Sequence, residues 1–324
     1  MIRFGVIGAG RIAKTFSLAV NGIHETLYAV ASRDLEKANQ FKDEFGFQKA
    51  YGSYEQLLDD QLVDCVYIAT PHALHFEQMK SCLEKGKNIL CEKSFTLNHE
   101  QAKIIYDLAE SKKLFVMEAM WTRFLPTMQE VLKLVKDDAI GDIFRIEANF
   151  GFETNKDLKD RLLNPVLGGG TLLDIGIYPI TLANMFLGIP DSFESNAFFH
   201  PSGVDTSSKI TYFYPEAEAI LNMSFMDNIG NDAYIYGTKG YFHIPNFHAA
   251  EVATLYNNNH KVVKMIEHPH IVNGLEYEII ETIQCIKKKA LESQIMTHEI
   301  SLEILRQMDD IRKSWNFKYP QELG

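Results

Sequence analysis

The chain has 324 residues, of which 46% are hydrophobic and 23% are charged. Its 32 basic and 43 acidic side chains give a formal net charge of −11 at pH 7. This is the composition of a folded globular protein of about two domains, and it argues against a disordered, collagen-like or membrane-spanning chain. Because an acidic surface repels phosphate groups, we expect neither nucleic acid nor an anionic membrane as a partner.

Two features predict a cytoplasmic protein. Residues 2–7 already form an apolar, β-branched run, which leaves no room for the charged start of a signal peptide. We also expect no apolar stretch to reach the ~18 residues that cross a bilayer. The cysteines stand singly, without a CxxC pair, so we predict reduced thiols, mostly in the core, at Cys65, Cys82, Cys91 and Cys285.

The first third of the chain alternates short apolar runs with segments of helical period. The apolar runs predict strands at 2–7, 26–31, 65–69, 88–91 and 114–117. The segments between them predict helices at 11–20, 35–45, 74–85 and 98–111. Ser53 and Gln56 form a capping-box signature. Since parallel strands joined by single helices need right-handed crossovers, we predict an α/β Rossmann domain, a doubly wound parallel sheet, over residues 1–120.

Residues 121–324 follow a different pattern. Strands are predicted at 143–152, 193–199, 207–214, 219–225, 233–236 and 261–267, and helices at 171–187, 275–291 and 299–315. Many of these strands alternate apolar and polar residues, which is typical of a sheet with one covered and one available face. We therefore predict a second, α+β domain with a large, mostly antiparallel, open-faced sheet.

A glycine-rich turn follows the first predicted strand and opens the first helix, with the sequence Gly8-Ala9-Gly10-Arg11-Ile12-Ala13. In this context Gly8 permits a tight turn, Gly10 lets a pyrophosphate approach the backbone, and Ala13 lets helix and strand pack closely. The helix N-terminus attracts the phosphate charge. A turn without a ligand is the alternative. We predict dinucleotide binding at Gly8, Gly10, Arg11 and Ile12.

The end of the second strand bears on the choice between NAD and NADP. An NAD site commonly has Asp or Glu there, which accepts a hydrogen bond from the ribose 2′-hydroxyl. This chain has Ser32 and Arg33, whose hydroxyl and guanidinium suit a 2′-phosphate. Asp34 keeps NAD as the alternative, unless it only caps the next helix. We predict NADP as the cofactor.

Two further loops follow strands at the carboxyl edge of the predicted sheet, where such sheets bind ligands. Their candidate residues are Thr70, Pro71, His72 and His75 after strand 65–69, and Glu92 and Lys93 after strand 88–91. We predict that they border the cofactor, with Lys93 near the nicotinamide. The alternatives are a surface charge pair and histidines that only begin a helix. Two histidines without a third convergent ligand predict no metal site.

Gly168-Gly169-Gly170 leads into a predicted helix that carries Asp174 and Tyr178. Their spacing, i and i+4, puts both side chains on one face of a helix. A hydrogen-bonded core pair and a pair of site residues fit this spacing equally well.

Together these motifs resemble those of the Gfo/Idh/MocA family of oxidoreductases, and the resemblance covers nearly the whole chain. It is carried by Gly8-x-Gly10-x-x-Ala13, Thr70-Pro71-His72-x-x-His75, Glu92-Lys93, and Gly169-Gly170 with Asp174-x-Gly176-x-Tyr178. Segment 118–126, and Tyr178 where many relatives have His, resemble the branch of dimeric dihydrodiol dehydrogenases and NADP-dependent D-xylose 1-dehydrogenases. The resemblance implies a Rossmann domain, a substrate domain with an open sheet, and homodimers formed through that sheet.

The resemblance also implies catalytic roles for Lys93, Asp174 and Tyr178. Tyr178 becomes the general acid/base, and Lys93 lowers the pKa of its phenol, ordinarily about 10, because a nearby ammonium favours the phenolate. Asp174 orients the substrate. An aromatic wall suits a sugar face or a planar diol ring, although Trp121 and Phe124 fit a core equally well. The predicted substrate-side residues are Trp121, Arg123, Phe124, Phe152, Asp174 and Tyr178.

We therefore predict an NADP-dependent oxidoreductase that transfers a hydride between the nicotinamide and a hydroxyl-bearing carbon of a sugar, polyol or cyclic trans-diol. The alternatives are an NAD-dependent glycosidase of the same family and a non-catalytic dinucleotide-binding sensor. Apolar strand residues such as Ile210, Tyr212 and Tyr214 are compatible with subunit pairing.

One residue departs from the family pattern. The usual tripeptide is Glu-Lys-Pro, and this chain has Ser94 in place of the proline. Proline lowers the cost of a cis peptide bond from about 2.5–4 kcal/mol to about 0.5–1 kcal/mol. The conformation of this turn, and with it the placement of Lys93, stays open at this point.

Overall fold

The computed structural model describes residues 1–154 and 161–322, which divide into two units. The first unit consists of Met1–Trp121 and His270–Leu302. The second consists of Thr122–Pro269 and the chain from Glu303 onward. The predicted domains, 1–120 and 121–324, differ from these units chiefly in residues 270–302, which belong to the first unit.

The first unit is built on the predicted parallel sheet. Its strands are β1 (Arg3–Ile7), β2 (Thr26–Ala31), β3 (Lys49–Tyr51), β4 (Cys65–Ile68), β5 (Asn88–Glu92) and β6 (Val116–Ala119). They pair in parallel in the order β3-β2-β1-β4-β5-β6, which confirms the Rossmann fold. The sequence prediction lacks β3, because three residues are too few to give a recognisable alternation.

Helices connect these strands, and three of them begin at a side-chain cap. The helices are α1 (Arg11–Gly22), α2 (Leu35–Phe45), α3 (Tyr54–Asp59), α4 (His75–Glu84) and α5 (His99–Lys112). Asp34 Oδ1 accepts hydrogen bonds from the first backbone N–H groups of α2. At α3, Ser53 Oγ accepts from the Gln56 N–H at 3.3 Å, which confirms the predicted cap.

The described part of the second unit contains an eight-stranded, mostly antiparallel sheet, as predicted. Its strands are β7 (Ile143–Gly151), β8 (Ser192–Phe199), β9 (Asp205–Phe213), β10 (Glu218–Ser224), β11 (Ala233–Gly237), β12 (Gly240–Ile244), β13 (Val252–Asn257) and β14 (Val262–Glu267). They pair in the order β14-β13-β12-β11-β7-β10-β9-β8, with β7 and β10 parallel. The sequence prediction lacks β12 and β13, whose short apolar runs lie between turn residues.

Four more helices complete the description: α6 (Pro126–Lys136), α7 (Ile177–Leu187), α8 (Glu276–Lys288) and α9 (His298–Ser314). Of these, α6 and α7 belong to the second unit and α8 to the first, whereas α9 contributes residues 298–302 to the first and 303–314 to the second. The sequence prediction lacks α6, which begins with a proline in its first turn.

Helices cover the face of the second sheet that carries Ile210 and Tyr212, which the sequence analysis considered compatible with subunit pairing. Ile210 and Tyr212 are fully buried. Tyr212 interacts electrostatically with Glu303 and Arg306 of α9, which therefore lies on its side of the sheet. Because Ile210 and Tyr212 lie on the covered face, they are not the strand residues that a second subunit would meet.

One segment of the second unit is longer and more apolar than expected. By length and composition alone, Pro165–Leu187 is capable of crossing a membrane, so the expectation that no apolar stretch reaches this length is wrong. However, 89% of its most apolar window is buried inside the protein. A helix that is apolar on all sides is also what the core of a large domain requires, and we interpret this segment as a core helix.

Residues 270–302 join the first unit through the start of α8, which packs against α1. Glu276 is fully buried and accepts hydrogen bonds from three successive backbone N–H groups, those of Val272, Asn273 and Gly274. The Asn273 side chain donates to the Thr15 carbonyl of α1 at 2.9 Å. The contact of Asn273 with Thr15 joins residues 258 positions apart, so local sequence patterns do not reveal it.

We predict that Glu276→Gln lowers the free energy of unfolding at pH 7 by about 1–3 kcal/mol, because hydrogen bonds to a charged acceptor are stronger than neutral ones. Burial raises the pKa of Glu276, but the hydrogen bonds from the backbone amides outweigh it and hold the pKa below its ordinary value. The carboxylate therefore stabilises the fold above its unfolded pKa of about 4.3, and this contribution is lost as the pH falls through the lower folded pKa.

Urea unfolding of both proteins across pH 3–8 measures this difference, which shrinks at the acid end. The exposed residue Glu84 provides the control, since Glu84→Gln leaves stability within about 0.5 kcal/mol of the wild type. Equal stabilities of Glu276→Gln and the wild type at pH 7 would contradict the anchoring role.

Candidate functional site

The glycine-rich turn leaves open space at the start of α1. Gly8 has a φ of +101°, and a Cβ there would lie 2.8 Å from the Ala69 carbonyl oxygen, so this position requires glycine. Gly10 differs, because a Cβ there would meet no described heavy atom within 4 Å. The first turn, with exposed Arg11 and half-buried Ile12, has neither a side-chain cap nor an acidic residue among the described atoms. The N–H groups and the helix dipole therefore face a space in which a pyrophosphate fits.

The end of β2 has the polar groups that the sequence predicts. Asp34 Oδ1 accepts from the N–H groups of Glu36 at 3.0 Å and Lys37 at 3.2 Å, so this carboxylate caps α2. Ser32 is 9% exposed, and its hydroxyl accepts from the Asp34 N–H at 3.3 Å. The guanidinium of Arg33 is exposed. The capping interpretation of Asp34 is therefore correct, and Arg33 is the exposed cation beside it.

One buried imidazole joins the loops after β4 and β5. His75 is fully buried, with Nε2 2.8 Å from the Thr70 carbonyl oxygen and Nδ1 3.0 Å from the Ser94 carbonyl oxygen. The ring of His72, 4% exposed, lies edge-on to it at 5.8 Å between centroids. Pro71 introduces the turn that carries His72 into α4. His75 thus joins the loop that carries Thr70 to the residue after Lys93 at the carboxyl edge of the sheet.

Glu92 is a buried residue, which excludes the surface-pair interpretation of Glu92 and Lys93. It is 7% exposed and accepts a hydrogen bond from the Tyr67 hydroxyl of β4. Glu278 of α8 is fully buried, and its carboxyl oxygens have no hydrogen-bond partner within the described residues. Burial and the charge of Glu92 hold the pKa of Glu278 well above its ordinary value. Lys93 follows this buried acidic pair and is half-buried.

The turn at Lys93 has a defined conformation although Ser94 replaces the usual proline. The peptide bond between Lys93 and Ser94 is cis, and Ser94 is fully buried. The next residue, Phe95, donates its N–H to Glu118 Oε1 at 3.0 Å. The sequence analysis left the conformation of this turn open. In the structure, His75 contacts the Ser94 carbonyl oxygen and Glu118 accepts a hydrogen bond from the Phe95 N–H, so both residues hold the turn.

In the second unit, Asp205 holds the start of the helix that carries Asp174 and Tyr178. Asp205 is fully buried and accepts hydrogen bonds from the Thr171 hydroxyl and, at 2.7 Å, from the Leu172 N–H. A Cβ on Gly170 would overlap the Asp205 carboxylate, and the φ of Gly170 is +113°. One π-helical turn, Leu172–Gly176, then leads directly into α7. Such turns are rare and are frequent at functional sites.

Asp174 and Tyr178 have different surroundings. Asp174 lies in the π-helical turn, is 7% exposed, and forms an ion pair with Arg161 at 2.9 Å between Oδ1 and Nη1. Tyr178 lies in the first turn of α7 and is also 7% exposed. Its ring is 5.4 Å from that of Phe150 and 5.7 Å from that of His248. An ion pair thus holds the Asp174 side chain, whereas aromatic rings pack around Tyr178.

The aromatic cluster around Tyr178 includes one of the predicted substrate-side residues. Phe150 stacks on His248 at 4.3 Å and lies 6.4 Å from Phe152. Phe152 is half-buried and also contacts Phe225 at 5.4 Å. We call Phe150, Phe152, Tyr178 and His248 the aromatic cluster. It places Phe152 and Tyr178 in one group of side chains, as a shared role requires.

The other predicted substrate-side residues lie elsewhere. Phe124 is 5% exposed and belongs to the core of the second unit, which is the alternative that the sequence left open. Arg123 is half-buried in the same unit. Trp121 belongs to the first unit, where it is half-buried and packs near Gly274 and His270.

Three residues of these sites are absent from the sequence prediction. Arg161 and His248 belong to no motif, and no sequence period links them to Asp174 or Tyr178. Glu118 did have a signal, because a lone carboxylate inside the apolar run before Trp121 is expensive to bury without a role.

Comparison with known proteins agrees with both units. A family model described as "Oxidoreductase family, NAD-binding Rossmann fold" matches residues 2–120. A second, the "GFO/IDH/MocA C-terminal domain", matches residues 128–243. Together the two models match more than half of the chain.

Curated relatives extend over the whole chain. The trans-1,2-dihydrobenzene-1,2-diol dehydrogenase of Xenopus tropicalis is 34% identical over 98% of this chain and 99% of its own. The human protein of the same name is 30% identical over 99% of each chain.

Solved structures give the same architecture. A 3-ketoreductase from Actinomadura kijaniata, solved with NADP and TDP-benzene, is 25% identical with a TM-score of 0.86, over 96% of this chain and 97% of its own. A levoglucosan dehydrogenase solved with NADH and levoglucosan shares the fold, with a TM-score of 0.88 at 20% identity over 99% and 100% of the two chains. The Rossmann sheet, the second sheet, both family models and the full-length relatives agree, and the chain belongs to the GFO/IDH/MocA family of oxidoreductases.

Proposed function

We propose that the protein is an NADP-dependent dehydrogenase that transfers a hydride between the nicotinamide and a hydroxyl-bearing carbon of a sugar, polyol or cyclic trans-diol. The open space at Gly10, against the uncapped start of α1, carries the proposal, because it suits the pyrophosphate of a dinucleotide. The relatives named as diol dehydrogenases support the choice of substrate class.

In this proposal Tyr178 is the general acid/base. In the oxidative direction its Oη takes the proton of the substrate hydroxyl while the carbon-bound hydrogen leaves as hydride, for which the bound cofactor supplies the acceptor. Lys93 carries the ammonium that favours the phenolate form of Tyr178 and lowers the pKa of its phenol. Support for Lys93 comes from the hydrogen-bonded turn around it, and support for Tyr178 from the aromatic cluster.

Asp174 is the proposed orienting group. Its ion pair with Arg161 favours the carboxylate form and limits the positions of the side chain, so that it accepts hydrogen bonds from substrate hydroxyls. The aromatic cluster offers flat surfaces for the apolar face of a sugar or a diol ring. Trp121 and Arg123, both half-buried, complete the proposed substrate contacts.

We predict that Tyr178→Phe lowers kcat by about 10²–10⁴-fold, the usual contribution of a positioned acid/base. Lys93→Met lowers kcat by at least about tenfold, since the phenolate loses its stabilising cation. Formation of reduced nicotinamide from NADP, with a panel of aldoses, polyols and trans-dihydrodiols, measures both effects. Two control variants retain kcat within about twofold. They are Tyr212→Phe, which removes a buried hydroxyl without a described hydrogen bond, and Lys85→Met on the exposed end of α4.

The same assay separates the alternatives. No reduced cofactor with any substrate at high enzyme concentration would contradict the proposal. Tight NADP binding without turnover would then favour a sensor. Cleavage of a nitrophenyl glycoside without net accumulation of reduced cofactor would favour the glycosidase.

We propose NADP, rather than NAD, as the preferred cofactor. The Asp34 carboxylate already caps α2, whereas the Arg33 guanidinium is exposed beside Ser32. A guanidinium matches the charge and geometry of a 2′-phosphate.

Arg33→Ala is therefore expected to raise the KM for NADP by about 10–100-fold, because a charge-assisted hydrogen bond is worth about 1.5–3 kcal/mol. The KM for NAD stays within about threefold, since that cofactor has no 2′-phosphate. Initial rates with both cofactors measure the change, and Lys112→Ala, which removes an exposed cation at the end of α5, is the control. A wild-type enzyme with a higher kcat/KM for NAD than for NADP would contradict the preference.

We further propose a homodimer formed through the second sheet. Tyr234, Tyr236, Tyr241 and Tyr256 are half-buried on the face opposite Ile235 and Phe242, which are fully buried. The rings of neighbouring members lie 4.9–5.8 Å apart, and we call the four residues the tyrosine ladder. Tyrosine supplies large, partly polar contact area and is enriched in interfaces between subunits.

A carboxylate in the tyrosine ladder is expected to produce monomers, because an unpaired charge in an interface is costly. Light scattering at micromolar concentration measures this for Tyr236→Asp. The control is Ile189→Asp, which adds the same charge at an exposed position outside the ladder and leaves the dimer intact. A monomeric wild-type protein would contradict the proposal.

A cytoplasmic location completes the proposed function. Cys65, Cys82, Cys91 and Cys285 are free and buried, as the sequence predicts. Unpaired thiols are typical of a reducing compartment.

A further inference from the structure

We propose that Glu118 is a positioning residue for Lys93: it holds the backbone of the turn after β5 and supplies the negative charge that faces the Lys93 ammonium. The inference deepens the proposed function, on which the catalytic role of Lys93 rests. Glu118 begins segment 118–126, to which the sequence analysis assigned a resemblance but no role for this residue, and its role here follows from its contacts.

The first step of the argument is the attachment of the turn. Glu118 lies next to the last residue of β6 and is fully buried. Its Oε1 accepts a hydrogen bond from the Phe95 N–H at 3.0 Å. Phe95 is two residues after Lys93, so this hydrogen bond fixes the backbone that carries the lysine. The other oxygen, Oε2, accepts from the Ser301 hydroxyl of α9. A carboxylate held at both oxygens is a rigid support for the turn.

The second step concerns charge. Lys93 interacts electrostatically with Glu118, and so does the acidic residue Glu92. Cys91 on β5 and Tyr106 on α5 are further titratable groups of the described residues that interact with Glu118. The charge of Lys93 lowers the pKa of Glu118 and that of Glu92 raises it, so Lys93 is a cation that offsets the charge of Glu118.

The third step is the state of the carboxyl group. Burial raises the pKa of Glu118 to about 7, although the hydrogen bonds from Ser301 and Phe95 and the charge of Lys93 act in the opposite direction. Glu118 is therefore anionic above neutral pH and gains a proton below it. A purely structural buried acid would serve equally well in its neutral form, whereas a partner for an ammonium has to ionise.

The test uses the full-length protein without substrate. Lysines are methylated reductively with ¹³C-formaldehyde, the Lys93 signal is assigned with Lys93→Arg, and its chemical shift is followed from pH 5 to 11. In the wild type the signal has an additional inflection near pH 7, where Glu118 titrates. In Glu118→Gln this inflection is absent, and the pKa of Lys93 falls by about one unit, because an opposite charge has been removed.

Glutamine keeps the fold, since its carbonyl oxygen still accepts from Phe95 and its amide donates to the Ser301 hydroxyl. Ser301→Ala is a second variant, which removes one donor to Glu118 and moves the inflection to higher pH. Glu84→Gln, which neutralises an exposed carboxylate on α4, leaves the Lys93 titration unchanged.

Amide hydrogen exchange tests the attachment of the turn separately. The Phe95 N–H is protected in the wild type and in Glu118→Gln, and it exchanges at least about tenfold faster in Glu118→Ala. An unchanged Lys93 titration in Glu118→Gln, or equal exchange of Phe95 in the wild type and Glu118→Ala, overturns the inference.

Neither measurement needs turnover, so the inference and the proposed function fail separately. An inactive wild-type protein with the expected Lys93 titration would contradict the proposed dehydrogenase activity, but it would support the pairing of Glu118 with Lys93. In an active enzyme, Glu118→Ala lowers kcat by about tenfold while the KM for NADP stays within about twofold, because the variant misplaces Lys93 and leaves the glycine-rich turn unchanged.

Discussion

The candidate site of the first unit depends on one buried side chain, His75, whose two ring nitrogens face carbonyl oxygens from two different loops. A carbonyl oxygen only accepts, so a ring nitrogen that carries a proton donates to the carbonyl that it faces. The imidazole then fixes Thr70 relative to Ser94. Since Ser94 follows Lys93 directly, this contact determines where the main chain of the lysine lies at the carboxyl edge of the parallel sheet.

The first unit also buries three acidic groups on and around the strands next to this turn. Glu92, Glu118 and Glu278 are each less than a tenth exposed. Burying a carboxyl group costs free energy unless it is hydrogen-bonded, paired or protonated. Tyr67 satisfies Glu92, Ser301 and Phe95 satisfy Glu118, and a raised pKa favours the neutral form of Glu278. Such clusters of perturbed groups are more common at functional sites than in structural cores.

The second unit uses one buried carboxylate differently. Asp205 lies at the start of the helix that carries Asp174 and Tyr178, where it binds Thr171 and the Leu172 N–H. A negative charge at a helix N-terminus is favourable. Gly170 is needed because the chain passes too close to Asp205 for a side chain there, and Gly169 because a Cβ would lie 2.6 Å from the Leu162 carbonyl oxygen. The Gly-Gly motif is therefore a requirement for positioning the helix that carries Asp174 and Tyr178.

The sequence by itself determined the Rossmann sheet, the open second sheet, the glycine-rich turn and the cap of α3 at Ser53. These features depend on residues close together in the chain, where alternation, helical period and cap spacing are readable. Only the tertiary structure decided that residues 270–302 join the first unit, that Ile210 and Tyr212 face helices, and that Glu118 reaches the turn at Lys93. Each of these depends on a buried contact between distant segments, and the free energy of such a contact comes from the partner's position in space, which no local pattern records.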